Sequence, residues 1–155
     1  MKTIKSITRA DMADIALGGA FLGTGGGGDP YIGRLMAEQA IDQHGPVPVL
    51  DVDSLDDDAL VVPVCMMGAP TVMLEKLPHG EEAINALRSL EAVLGRKADA
   101  VFCIEAGGLN STIPIAVAAT AGLPIVDGDG MGRAFPELQM VSMTMFDVHA
   151  CPMAM

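Results

Sequence analysis

Ala98-Asp-Ala-Val-Phe-Cys-Ile-Glu105, Ala106-Gly-Gly-Leu109, Asn110-Ser-Thr-Ile-Pro-Ile-Ala-Val-Ala-Ala-Thr-Ala121 and Gly122-Leu-Pro-Ile-Val126 follow one another without a break. The first piece is a short apolar run rich in β-formers, which predicts a buried strand over 98–105. The third is Ala-rich and predicts a helix over 110–121, closed by Gly122 and Pro124. A new strand begins at Pro124–Val126. Strand, helix and strand in about thirty residues is one βαβ unit, and such a unit implies parallel strands.

The same alternation extends toward the N-terminus. Ile84, Leu87, Leu90, Val93 and Leu94 recur at helical spacing, so 80–94 reads as an amphipathic helix closed by Gly95. Ala59–Met66 reads as a buried strand, Asp53–Asp58 as an acidic solvated turn, and Val47–Val52 as a short strand. A helix is expected from Pro30 to Gln43, stopped by His44-Gly45-Pro46. Another begins at Thr8 with Asp11 and is expected to end near Gly18-Gly19. A last strand is expected over Gln139–Phe146. The chain is thus an α/β domain with a largely parallel sheet flanked by helices. No internal repeat interrupts it.

Between the first two helices stands Leu22-Gly-Thr-Gly-Gly-Gly-Gly-Asp-Pro30. Asp29 is a good N-cap and Pro30 fits the first helical position. A glycine loop entering a helix start favours an anionic or strongly polar ligand at Gly25, Gly26, Gly27, Gly28 and Asp29. The alternative is a tight connection without a ligand. The loop follows a helix rather than a strand and lacks Gly-Lys-[Ser/Thr]. It is therefore neither a dinucleotide fingerprint nor a Walker A loop.

Composition narrows the function. The 155 residues fit one domain, and half are apolar, enough for a core. With four Phe, one Tyr and no Trp, that core is built from aliphatic residues and the twelve methionines. A net charge of −11 argues against nucleic acid and anionic membrane surfaces. The start, Met1-Lys-Thr-Ile-Lys-Ser6, has no apolar signal core. The uncharged stretch 106–126 is too broken by Gly and Pro to span a membrane. Cys65, Cys103 and Cys151 are odd in number and widely spaced, which fits a reduced, cytoplasmic setting. The apolar segment Met140–Met155 leads us to expect an N-terminal portion of a longer protein, or an end covered by a partner, including a second copy of the chain.

In an open α/β sheet, ligands bind beyond the carboxyl ends of the strands. Cys65–Pro70, Glu105–Ser111 and Asp127–Arg133 are expected there. Glu105, Asp127 and Asp129 are candidate acid/base carboxylates, or ligands of a hard cation, beside a helix start at Asn110 and Ser111, which are read as substrate-binding. Asp127 and Asp129 also fit plain turns with their glycines. Arg133 is read as holding an anionic substrate or forming a salt bridge. On a strand, Asp147, His149 and Cys151 would share a face able to ligate a divalent metal such as zinc, or would form a polar outer face. Cys65 is read as a nucleophile if its pKa is depressed, otherwise as a buried apolar residue. Cys103 reads as core, and His44 and His79 as structural.

Three segments together carry a family resemblance. They are Leu22–Tyr31, Val61-Val-Pro-Val-Cys-Met-Met-Gly-Ala-Pro70 and Val126-Asp-Gly-Asp-Gly-Met-Gly-Arg-Ala-Phe-Pro-Glu-Leu-Gln139. They resemble the S-methyl thiohydantoin desulfurase-like family over nearly the whole chain. The resemblance implies an α/β N-terminal domain followed by a β-rich second domain, an association with hydantoinase/oxoprolinase-type proteins, and removal of sulfur from thiohydantoin-like rings. The leading expectation is a hydrolase-type domain acting on a small cyclic amide or thioamide. The alternatives are a non-catalytic subunit that needs a partner domain, and an anion- or phosphate-binding module.

Overall fold

The structure, a computed structural model, describes residues 4–76 and 78–155. In chain order its elements are β1 (Ser6–Ile7), α1 (Met12–Gly23), α2 (Pro30–His44), β2 (Val47–Leu50), β3 (Val61–Val64), α3 (Pro70–Glu75), α4 (Glu82–Leu94), β4 (Ala100–Cys103), α5 (Ile113–Ala121) and β5 (Ile125–Asp129). The strands form one sheet in the order β1-β2-β5-β4-β3. Only β1 runs antiparallel, pairing Ile7 with Val47. The rest is parallel, with Val62 opposite Val101, Val101 opposite Ile125, and Val49 opposite Ile125. The α/β reading with a largely parallel sheet holds. Pro63 sits on β3, an edge strand, where its missing N–H breaks no ladder.

One apolar cluster joins sheet and helices. Val47, Val62, Val64, Val101 and Ile125 meet Ala37 and Ile41 of α2, Leu87 of α4, and Ile113, Val117 and Ala118 of α5. Helix α5 is apolar on every side and is almost wholly buried, packed between α2 and α4. Alternate strand residues point away from this cluster, and Pro63 and Asp127 are exposed.

The structure corrects five local readings. Helix α1 does not stop at Gly18-Gly19 but continues to Gly23. Gly19 serves contact, not termination: a Cβ there would lie 2.9 Å from Gly107 O and from Ser111 Oγ. Residues 110–112 form a turn, and the helix starts only at Ile113. The strand after Pro124 extends through Asp129, so Asp127 and Asp129 lie within it. The strand expected over Gln139–Phe146 is instead two short 3-10 helices, Leu138–Met140 and Ser142–Phe146. Local bonds such as Met140 N to Glu137 O and Thr144 N to Val141 O satisfy that backbone, and Ser142 N ties it to Gly130 O at 2.7 Å. Val93, assigned to the apolar stripe of α4, is exposed. Strand β1 and helix α3 were not anticipated.

Candidate functional site

A cavity of about 560 Å³ opens at the carboxyl ends of β3 and β4, where ligands of open α/β sheets bind. Its size falls in the range of small-molecule sites. Cys65–Ala69, following β3, and Ile104 and Glu105, following β4, form its floor. Gly27, Gly28 and Asp29 form one rim, and Phe135–Leu138 another. Met73 and Val72 of α3 close a side.

The floor is held by a buried polar network. Asn110 Oδ1 accepts from Met66 N at 2.8 Å, and Asn110 Nδ2 donates to Met66 O at 3.1 Å. The side chain thus acts like one residue of an added strand, clamping the chain that leaves β3. Asn110 Nδ2 also donates to Glu105 Oε1 at 2.7 Å. Glu105 Oε2 accepts from Phe135 N at 2.9 Å, which draws in the 135–138 rim. Glu105 is buried, and its hydrogen-bond partners are neutral amides. A carboxyl group in that setting is costly unless hydrogen-bonded, and both its oxygens are.

The glycine-rich loop is stitched to the turn before α5 through its carbonyls. Gly108 N donates to Gly26 O at 3.2 Å, while Leu109 N and Asn110 N donate to Gly27 O at 2.7 and 3.0 Å. Gly27 and Gly28 have φ of +74° and +85°, a region that favours glycine. A Cβ on Gly27 would collide with Gly107 Cα, and one on Gly28 would lie 2.7 Å from Leu109 Cβ. Asp29 Oδ1 accepts from Tyr31 N at 2.8 Å and Ile32 N at 3.3 Å. The start of α2 therefore already carries its own carboxylate, opposing the anion site expected there.

Of the residues singled out in the sequence, Gly27, Gly28, Asp29, Glu105 and Asn110 meet around the cavity. Gly25 and Gly26 stand in the same loop outside its lining. Ser111 Oγ accepts from Gly107 N at 3.1 Å and supports the turn. Asp127 and Asp129 do not line the cavity with Glu105. The β4–β5 register slips between Val101/Ile125 and Cys103/Asp129 and re-aims this part of β5. Asp127 is exposed, and Asp129 Oδ1 accepts from Met131 N and Gly132 N, forming a turn. Arg133 Nε donates to Ala134 O at 3.0 Å. Asp147, His149 and Cys151 follow the second 3-10 helix as exposed, non-strand residues. No group of three His, Cys, Asp or Glu among the described residues is placed to hold a metal.

The sequence reading missed the cavity's Phe135–Leu138 rim and its methionine wall of Met66, Met67 and Met73. Pro70 at the first position of α3 was the available signal for the helix that carries Met73. Cys65 lines the cavity, but burial first, and then the charge of Glu105, push its thiol pKa up. It is thus no activated nucleophile at neutral pH. Cys103 is pushed up to about 12 by burial and by Asp129.

Residues 10–155 match the family model described as S-Me-THD-like, N-terminal domain. A solved structure, the X-ray crystal structure of a protein from Chromobacterium violaceum, superposes with a TM-score of 0.77 at 29% sequence identity. The match covers 94% of this chain and 40% of that one, so this chain spans well under half its length. No curated protein matches. Among the described residues, no helix is long and apolar enough to cross a membrane.

Proposed function

Because the chain belongs to the S-Me-THD-like family, matching its N-terminal domain, we propose that it forms the ring-binding part of an enzyme that hydrolyses small cyclic amides or thioamides of the hydantoin and thiohydantoin kind. The observation that carries this reading is the cavity itself. It is ring-sized, has a sulfur-rich apolar wall, and has one buried carboxyl group on its floor. In this reading Glu105 takes a proton from water, whose oxygen forms the new C–O bond at the sulfur-bearing ring carbon. The C–S bond breaks, one water proton goes to the departing thiol, and the other goes to the ring nitrogen.

The test is thiol release from a methylthio-substituted hydantoin, followed colorimetrically with the purified protein. Thiol release by the wild type and a loss of about a hundredfold or more in a folded Glu105→Gln variant are expected, the usual scale for a general base. Equal rates for the two would remove Glu105 from the chemistry. No release by the wild type would count against the hydrolase reading.

A second reading treats this domain as a portion that works only when joined to a further domain or a second copy. Its support is the 40% coverage of the crystal relative, together with large apolar side chains left in solvent. Leu17 and Phe21, one turn apart on α1, are 70% and 79% exposed.

A further inference from the structure

We infer that the cavity selects by charge, admitting uncharged or cationic rings and turning away carboxylates and phosphates. The inference rests on the ring-binding reading above only for the size of its ligand.

Three carboxyl-bearing side chains line the cavity, Asp29, Glu105 and Glu137, and among the described residues no Lys, Arg or His lines it. The start of α2 offers no free positive pole, because Asp29 caps Tyr31 N and Ile32 N, and the start of α3 at Ala69 belongs to a helix of only six residues. Arg34 pairs with Glu38, Arg88 and Lys97 pair with Glu91, and Arg96 pairs with Asp99, while Arg133, beside the Phe135 rim, donates to Ala134 O and is not among the lining residues. An anion entering the cavity would thus lose its hydration and meet carboxyl groups with no compensating cation. The wall of Met66, Met67 and Met73 suits the opposite kind of ligand, since polarisable thioethers pack well on flat rings. A ring N–H would find acceptor capacity at Glu105, whose two oxygens each accept one bond in the network described above. The net charge of −11 adds a repulsive field for anions at longer range.

The test uses three rings matched in size, benzamide, benzamidinium and benzoate, titrated into protein carrying 13C-methyl methionine. Benzamide and benzamidinium should shift the Met66, Met67 and Met73 signals saturably. Benzoate should bind at least tenfold more weakly. Glu137→Gln, at the rim, should narrow that gap, and an unchanged gap would count against the inference. Benzoate binding as tightly as benzamide would overturn the inference, and so would the failure of all three rings to move these methyl signals. If the neutral and cationic rings bind there but a methylthio-hydantoin neither binds nor releases thiol, charge selectivity stands and the thiohydantoin reading falls.

Discussion

Asn110 Nδ2 stands 2.7 Å from Glu105 Oε1, and both side chains are buried. The same amide grips Met66 N and Met66 O. One side chain therefore ties the ends of β3 and β4 to the acid on the cavity floor. Asn110→Asp is nearly isosteric but replaces a donor with a carboxylate facing Glu105 and Met66 O. We expect it to cost about 3–5 kcal/mol, the scale of an unpaired buried charge. Asn110→Ala should cost about 2–3 kcal/mol, since it leaves three polar groups without partners. Urea denaturation at neutral pH checks the order. Lowering the pH should narrow the difference between Asp and Ala as the new acid protonates. Equal stability of all three proteins would contradict the network.

Gly25 and Gly27 lie two residues apart with similar positive φ but unlike surroundings. At Gly25 an added Cβ meets nothing within 4 Å, whereas at Gly27 it meets Gly107 backbone and lies 3.1 Å from Glu105 Oε1. Gly25→Ala carries backbone strain alone, about 1 kcal/mol. Gly27→Ala adds overpacking of about 1–3 kcal/mol. Thermal melts should show a Tm loss for Gly27→Ala at least twice that for Gly25→Ala. Matching losses would mean that the loop is not pressed against the turn before α5.

The three thiols should separate by reactivity. Cys151 is exposed, Cys65 is partly buried with its pKa raised by burial and Glu105, and Cys103 is pushed up to about 12. The thiolate is the reactive form, so iodoacetamide at pH 8 should label Cys151 first, Cys65 slowly, and Cys103 only after unfolding. Peptide mass spectrometry over time reads the order. Early labelling of Cys65 would show that its thiol is activated, and would return it to the list of nucleophiles.

The alternation of Ala98–Val126 was enough to read the parallel sheet, because buried apolar strands and an Ala-rich helix leave few other arrangements. Glu105 and Asn110 were legible as polar neighbours at one strand end, because polar groups closing an apolar strand must find partners. Their mutual bond was not legible, since i and i+5 across a turn obey no helical or strand period. Asp127 and Asp129 misled for a related reason. The register slip beside Cys103 re-aims them, and nothing in the local sequence sets its position. The methionines that wall the cavity resemble those that fill the core. Met66 and Met73 belong to both, packing against the core while lining the cavity.

Away from the cavity, the chain between α4 and β4 folds over a buried carboxylate. Glu91 is 3% exposed, and its carboxylate takes Lys97 Nζ at 2.8 Å, Ala98 N at 2.9 Å and Arg88 at 2.9 Å. Burial alone would push its pKa up. The bonds from Lys97, Ala98 and Arg88 prevail and hold it at about 2, below its ordinary value of 4.5. A folded-state pKa below the unfolded one contributes stability that is present above pH 4.5 and is lost as pH falls toward 2. The shift corresponds to roughly 3 kcal/mol. Glu91→Gln keeps the shape but removes the charge. Its stability deficit against wild type should be largest at pH 6–7 and shrink steadily between pH 4.5 and 2. Chemical denaturation of both proteins across that range measures it. A deficit independent of pH would mean that Glu91 contributes by packing and neutral hydrogen bonds rather than by its charge.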